Sequence, residues 1–67
     1  MATIVSEVER EAVCRALDVA GRPLLPWQLV EPSGISQQRI EEILPVLVDE
    51  GAAKRLETAV AVKYTRA

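Results

Sequence analysis

The chain contains no histidine and a single cysteine, Cys14. Without histidine it lacks the commonest general base near neutral pH. One thiol with no imidazole assembles none of the usual zinc ligand sets, and an internal disulfide is excluded. Beside Val13 on an expected helix, Cys14 reads as a small buried side chain; the alternative is a reactive thiol or an intermolecular bridge. No stretch reaches the ~18 apolar residues of a membrane span, and the N-terminus lacks the pattern of a signal peptide. A soluble, cytoplasmic, reducing setting is expected. The three glycines, Gly21, Gly34 and Gly51, are spread one per turn, so there is no glycine-rich phosphate loop. Ser36 has no histidine to activate it. Glu41 and Glu42 are adjacent, about 100° apart around a helix, and do not converge as an acid–base pair. These absences exclude the familiar catalytic constellations: no catalytic residue, metal ligand or cofactor is expected, and the chain reads as a non-enzyme.

What is present is a small, unevenly charged chain. Its 67 residues make one domain, residues 1–67. Ordering them costs on the order of 100 kcal/mol of conformational entropy, so the apolar residues belong in one core, with little left for a ligand cavity. Residues 1–51 carry nine acids against four bases, whereas residues 52–67 carry Lys54, Arg55, Lys63 and Arg66 against Glu57 alone. A polyanion would meet a favourable field only at the C-terminal end.

Four segments have distinct periodicities. After a loose lead-in over residues 1–5, Ser6 precedes Glu9 at capping-box spacing. Val13, Ala16, Leu17 and Ala20 then recur at helical intervals, with Val8 and Ala12 extending the face. Gly21 supplies the stop, which predicts a first helix over about 7–20. In RPLLPWQLVEPSG, Pro23 holds Arg22 extended and Leu24 can lie in a brief edge strand. Pro26 suits the first turn of a short second helix over about 26–31, ended by Pro32 and Gly34. Ser36 caps a third helix over about 37–50, whose stripe of Ile40, Ile43, Leu44, Leu47 and Val48 is the strongest periodic signal in the chain. Pro45 interrupts it, at a cost of ~3 kcal/mol and with a kink expected. After Gly51 the period changes to two, predicting a hairpin over about 52–65. It has no Asn-Gly or Asp-Gly turn, and it needs a helical layer behind it, with Leu56, Val62 and Tyr64 as candidate contacts.

Three helices followed by a hairpin, with a short second helix and a serine-capped third, resemble the winged helix-turn-helix superfamily over about Val8 to Thr65. Leu24–Leu25 looks like the short first strand. Trp27 to Glu31 looks like the helix before the turn, Pro32 to Ser36 like the turn, and Gln37 to Glu50 like the recognition helix. LPVLVDEGAAKRL resembles the passage from that helix into the first wing strand, and AVKYTRA the returning strand. The chain is similar both to small winged-helix transcriptional-regulator domains of the multiple-antibiotic-resistance type and to stand-alone winged-helix proteins linked to iron transport. Iron–sulfur members of the latter carry several cysteines, which Cys14 alone does not match. The resemblance implies an α+β fold of three helices and a C-terminal β-hairpin wing.

It also implies double-stranded DNA as the partner, met by Ser36, Gln37, Gln38, Arg39 and Glu41 from helix three and by Lys54, Arg55 and Lys63 from the wing. The chemistry fits in part. Glutamine pairs with adenine N7 and N6, a glutamate accepts from cytosine N4, and the exposed amides of a helix start grip phosphate. Against this, Glu41 and Glu42 meet a polyanion badly, and the same face also reads as a solvated helix surface or a protein-binding surface. The wing bases equally discourage edge-to-edge aggregation. Trp27 is a packing residue or, if exposed, a partner anchor. Val5, Val8, Ala12 and Cys14 on or near helix one, with Trp27, form the candidate surface for a homodimer or another protein. The function expected is a small DNA-binding regulator or accessory factor; the rival is an adaptor that keeps the fold and binds protein instead.

Overall fold

The structure, a computed structural model, describes residues 4–67. Of the lead-in expected over residues 1–5, the first three lie outside the described residues. Helix α1 spans Glu7–Ala20. Its start is a complete capping box: Ser6 Oγ accepts from Glu9 N–H at 3.2 Å, and Glu9 Oε1 accepts from Ser6 N–H at 3.1 Å. Its end is a single left-handed residue, Gly21, whose N–H donates to the Leu17 carbonyl at 3.3 Å. Val13, Ala16 and Leu17 are buried, as the spacing predicts. Val8 is not: it is 76% exposed. Five residues from Val13, it lies ~140° around the helix and misses the core.

The second helical segment is longer than predicted and begins more tightly wound. Pro26–Leu29 form a 3-10 turn that continues into α2, Val30–Ser33. Gln28 Oε1 accepts from Leu25 N–H at 2.8 Å and satisfies one amide ahead of that turn. Pro32 does not end the segment: it is the third residue of α2, within the first turn after the winding changes from 3-10 to α. Gly34 ends it alone, at φ 71° with its N–H on the Val30 carbonyl at 2.9 Å.

Helix α3 spans Gln37–Asp49 and buries Ile40, Ile43, Leu44 and Leu47. Ser36 caps it, accepting from Arg39 N–H at 3.4 Å. The helix continues past Pro45, which is exposed, as is Glu41, the residue whose carbonyl loses its donor. Water can satisfy that carbonyl. The exit has the two bonds of a Schellman motif: Ala52 N–H donates to the Leu47 carbonyl at 2.8 Å and Gly51 N–H to the Val48 carbonyl at 3.1 Å.

Strand β1 (Ala53–Glu57) pairs antiparallel with β2 (Val62–Arg66), Ala53 opposite Arg66 and Glu57 opposite Val62. Leu24 joins the free side of β2 through reciprocal 2.8 Å backbone bonds with Tyr64, so the anticipated edge strand is reduced to one bridge. Thr58 fixes the hairpin turn in place of the missing Asn-Gly. Its Oγ1 accepts from Ala61 N–H at 3.1 Å, while its own N–H donates to the Ala61 carbonyl at 2.8 Å.

The expected contacts of the hairpin with the helices need correction. Leu56 is 40% exposed, and the strand residue buried in the core is Ala53. Tyr64 does pack against the core, on the Ala53 face. The Schellman exit sets the phase: with Ala52 tied back to Leu47, Ala53 is the first strand residue to turn inward. Leu56, three residues on, faces out. The core is then Val13, Ala16, Leu17, Leu24, Leu29, Ile40, Ile43, Leu44, Leu47 and Ala53.

Candidate nucleic-acid interface

Helix α3 carries its buried stripe on one side, which leaves Ser36, Gln37, Gln38, Glu41 and Glu42 exposed on the other. The Gln37 and Gln38 amides make no side-chain hydrogen bond among the described residues. They stand at the start of the helix, where the unpaired backbone N–H groups and the positive end of the dipole also lie.

Arg39 occupies the same turn but is engaged elsewhere. Its Nε donates to Glu9 Oε2 at 2.7 Å and its Nη2 to Glu9 Oε1 at 3.0 Å, a two-pronged grip on α1. The same Nη2 reaches the Ile4 carbonyl at 2.6 Å, and Nη1 lies 3.4 Å from Glu42. The effect on Glu9 is large: hydrogen bonding from Arg39, then from the Ser6 backbone, lowers its pKa from 4.5 to about 2. Arg39 in turn is held protonated more firmly, chiefly by its bond to Glu9. A guanidinium so committed ties the start of α3 to the start of α1.

Three of the other arginines are also engaged. Arg10 bridges Glu7 at 2.6 Å and Glu50 at 2.8 Å. Arg66 donates to the Ala52 carbonyl at 2.6 Å and lies 3.3 Å from Asp18. Arg55 pairs with Glu57 at 2.9 Å. Lys54 and Lys63 are different: both are exposed, and neither takes part in an ion pair among the described residues. In the hairpin register Lys54 faces Thr65 and Leu56 faces Lys63. The two lysines therefore share the face turned away from Ala53 and Tyr64. As diagonal neighbours they lie roughly 7–8 Å apart along the backbone.

Of the eight residues expected at a DNA surface, the structure leaves Ser36, Gln37, Gln38, Glu41, Lys54 and Lys63 open to solvent and engages Arg39 and Arg55 with carboxylates. The five expected at a partner surface do not share one face. Val5 and Cys14 are half-buried against the core. Ala12 is partly buried, and Val8 is exposed. Trp27 is 58% exposed on the 3-10 turn rather than packed inside. Sequence reading missed Glu9 as the partner of Arg39, and it missed Val19, which is 80% exposed on α1. The first lies 30 residues from its partner and leaves no local signal. The second was legible, since Val19 repeats Val8 after 11 residues, close to three turns.

Three helical segments, a turn ending in a capped third helix, and a C-terminal antiparallel hairpin with Leu24 bridged to its second strand make up the winged helix-turn-helix topology. No family model matches the chain, and no curated protein or solved structure matches it. Among the described residues no group of three or more histidine, cysteine or acidic side chains gathers as a metal site, and no helix is long and apolar enough to cross a membrane.

Proposed function

We propose that the chain is a small duplex-DNA-binding protein, a transcriptional regulator or accessory factor, that grips the phosphate backbone with its wing and meets base edges with the start of α3. The observation that carries this reading is the pair Lys54 and Lys63, exposed on the outer face of the hairpin with no ion pair among the described residues, while four arginines are committed to carboxylates. In this reading the lysines neutralise phosphates. The unoccupied amides of Gln37 and Gln38 suit adenine, Ser36 suits a phosphate, and Glu41 suits cytosine N4. Arg39 and Arg55 support the surface from behind. The exposed acids of α3 keep the affinity modest and place most of it in the wing.

The rival, a protein-binding adaptor, is favoured by Trp27, a large aromatic ring exposed beside half-buried Leu25 and Pro26. One titration separates the two. DNA binding predicts association with labelled duplex at ~50 mM salt, followed by anisotropy and weakening as salt rises. No association with tens of micromolar protein under those conditions sinks the DNA reading and leaves the adaptor.

A further inference from the structure

Along α1, away from the flank that enters the core, runs a second, largely exposed stripe. Val8 and Val19 are 76% and 80% exposed, with Ala12 and Arg15 between them on the same line. Positions 8, 12, 15 and 19 fall within ~60° of one another around a helix, and the two valines stand ~16 Å apart along it. Glu11 borders the stripe one turn before Arg15. Although their spacing is that of a helical ion pair, neither Glu11 nor Arg15 is in any ion pair among the described residues.

We propose that this face binds the same face of a second copy of the chain, with the two α1 helices antiparallel about a two-fold axis. The pattern is self-complementary only in that direction. Placing Val8 opposite Val19 of the second copy sets Ala12 opposite Arg15, so each long side chain crosses a small one. The two-fold keeps the borders of the stripe together, and Glu11 of each copy then lies ~1.5 Å along the axis from Arg15 of the other. Two ion pairs form between copies from charges that make none among the described residues of one. A parallel two-fold pairing would instead carry each Glu11 to the border away from Arg15 of the other copy, leaving it unpaired, and would set Arg15 level with Arg15. Val5 and Cys14, packed on the core, take no part. The seam is one helix wide, smaller than the ~800 Å² per partner of a standard interface, so association is weak and concentration-dependent. The pairing is independent of the DNA reading, because it uses no residue of α3 or the wing.

Sedimentation equilibrium from ~10 μM to ~1 mM tests it. The expected average mass rises from 7.3 kDa toward twice that value. Val8→Glu and Val19→Glu hold the chain monomeric with its circular dichroism unchanged. Glu11→Arg and Arg15→Glu each weaken dimerisation by about tenfold, and the two together restore it, because the swap preserves complementarity. A wild-type chain that stays monomeric at ~1 mM overturns the proposal, as does a double swap no better than either single change. Direction is read by oxidation on a Cys14→Ala background. A mixture of Val8→Cys and Val19→Cys chains forms a disulfide-linked heterodimer, whereas a linked homodimer of Val8→Cys alone refutes the antiparallel arrangement.

Discussion

The number of cations free to meet a polyanion can be read from the structure, and it fixes a slope. Of the eight lysines and arginines in the chain, the wing contributes two that make no ion pair among the described residues, Lys54 and Lys63, while Arg55 is held by Glu57. Each phosphate neutralised releases about 0.9 counterion, so two lysines give a slope of about −1.8 in log affinity against log salt. Raising salt from ~50 to ~200 mM, fourfold, should then weaken duplex binding about 12-fold. Lys54→Ala combined with Lys63→Ala should flatten the slope nearly to zero. Arg39→Gln should leave it unchanged, because that guanidinium is spent on Glu9. Glu57→Gln should leave it near about −1.8, because Arg55 pairs opposite Tyr64 on the other face of the hairpin from the two lysines. Fluorescence anisotropy with a short labelled duplex at four or more salt concentrations measures all of these. A wild-type slope of about −3 or steeper, or a loss of a full unit on Arg39→Gln, would refute the assignment of free and committed charges.

Three further outcomes concern the fold. Glu9 has a folded pKa of about 2 against an ordinary 4.5, so its contribution is complete above about pH 4.5 and is lost as pH falls towards 2; Glu9→Gln should flatten the dependence of the melting temperature on pH in that window, and an unchanged profile would count against the Arg39 contact. Gly34→Ala should cost about 1 kcal/mol in urea denaturation, entirely from the backbone at φ +71°, because an added Cβ meets nothing within 4 Å. Enlarging the inward strand residue, Ala53→Leu, should cost roughly 1–3 kcal/mol by overpacking, whereas Leu56→Thr on the outer face should stay within about 0.5 kcal/mol by the same denaturation assay; the opposite order would mean the hairpin is turned over.

Features fixed by local chemistry were legible in the sequence. Ser6 with Glu9, Ser36, and the stripe from Ile40 to Leu47 lie within a few residues of their effects, and the helices they define are those observed. Gly21, Gly34 and Gly51 likewise mark turns with positive φ. Features that depend on the meeting of distant segments were not legible. The sequence made Arg39 a natural probe of DNA, and only folding brings Glu9 to it. Both faces of β1 alternate equally well, and Leu56 is the larger hydrophobe. The exit geometry after Gly51, rather than side-chain size, chose Ala53 for the core. Trp27 followed a similar course: a tighter 3-10 turn points Leu29 inward and leaves the indole outside. For the candidate site, residue types were readable, but which charges remained unspent was not.

Ala52 gives the wing a mechanical character. Its N–H is bound to Leu47 of α3, and its carbonyl accepts from both Ala67 N–H at 3.2 Å and Arg66 Nη1 at 2.6 Å. One residue thus clamps the helix exit, the outgoing strand and the end of the returning strand. These bonds brace the base of the hairpin against swinging as an arm on a hinge and favour a set offset from α3, like the fixed jaw of a caliper. A partner touching both the start of α3 and the wing must fit that gap as it stands, and little base-loop entropy is lost when it does.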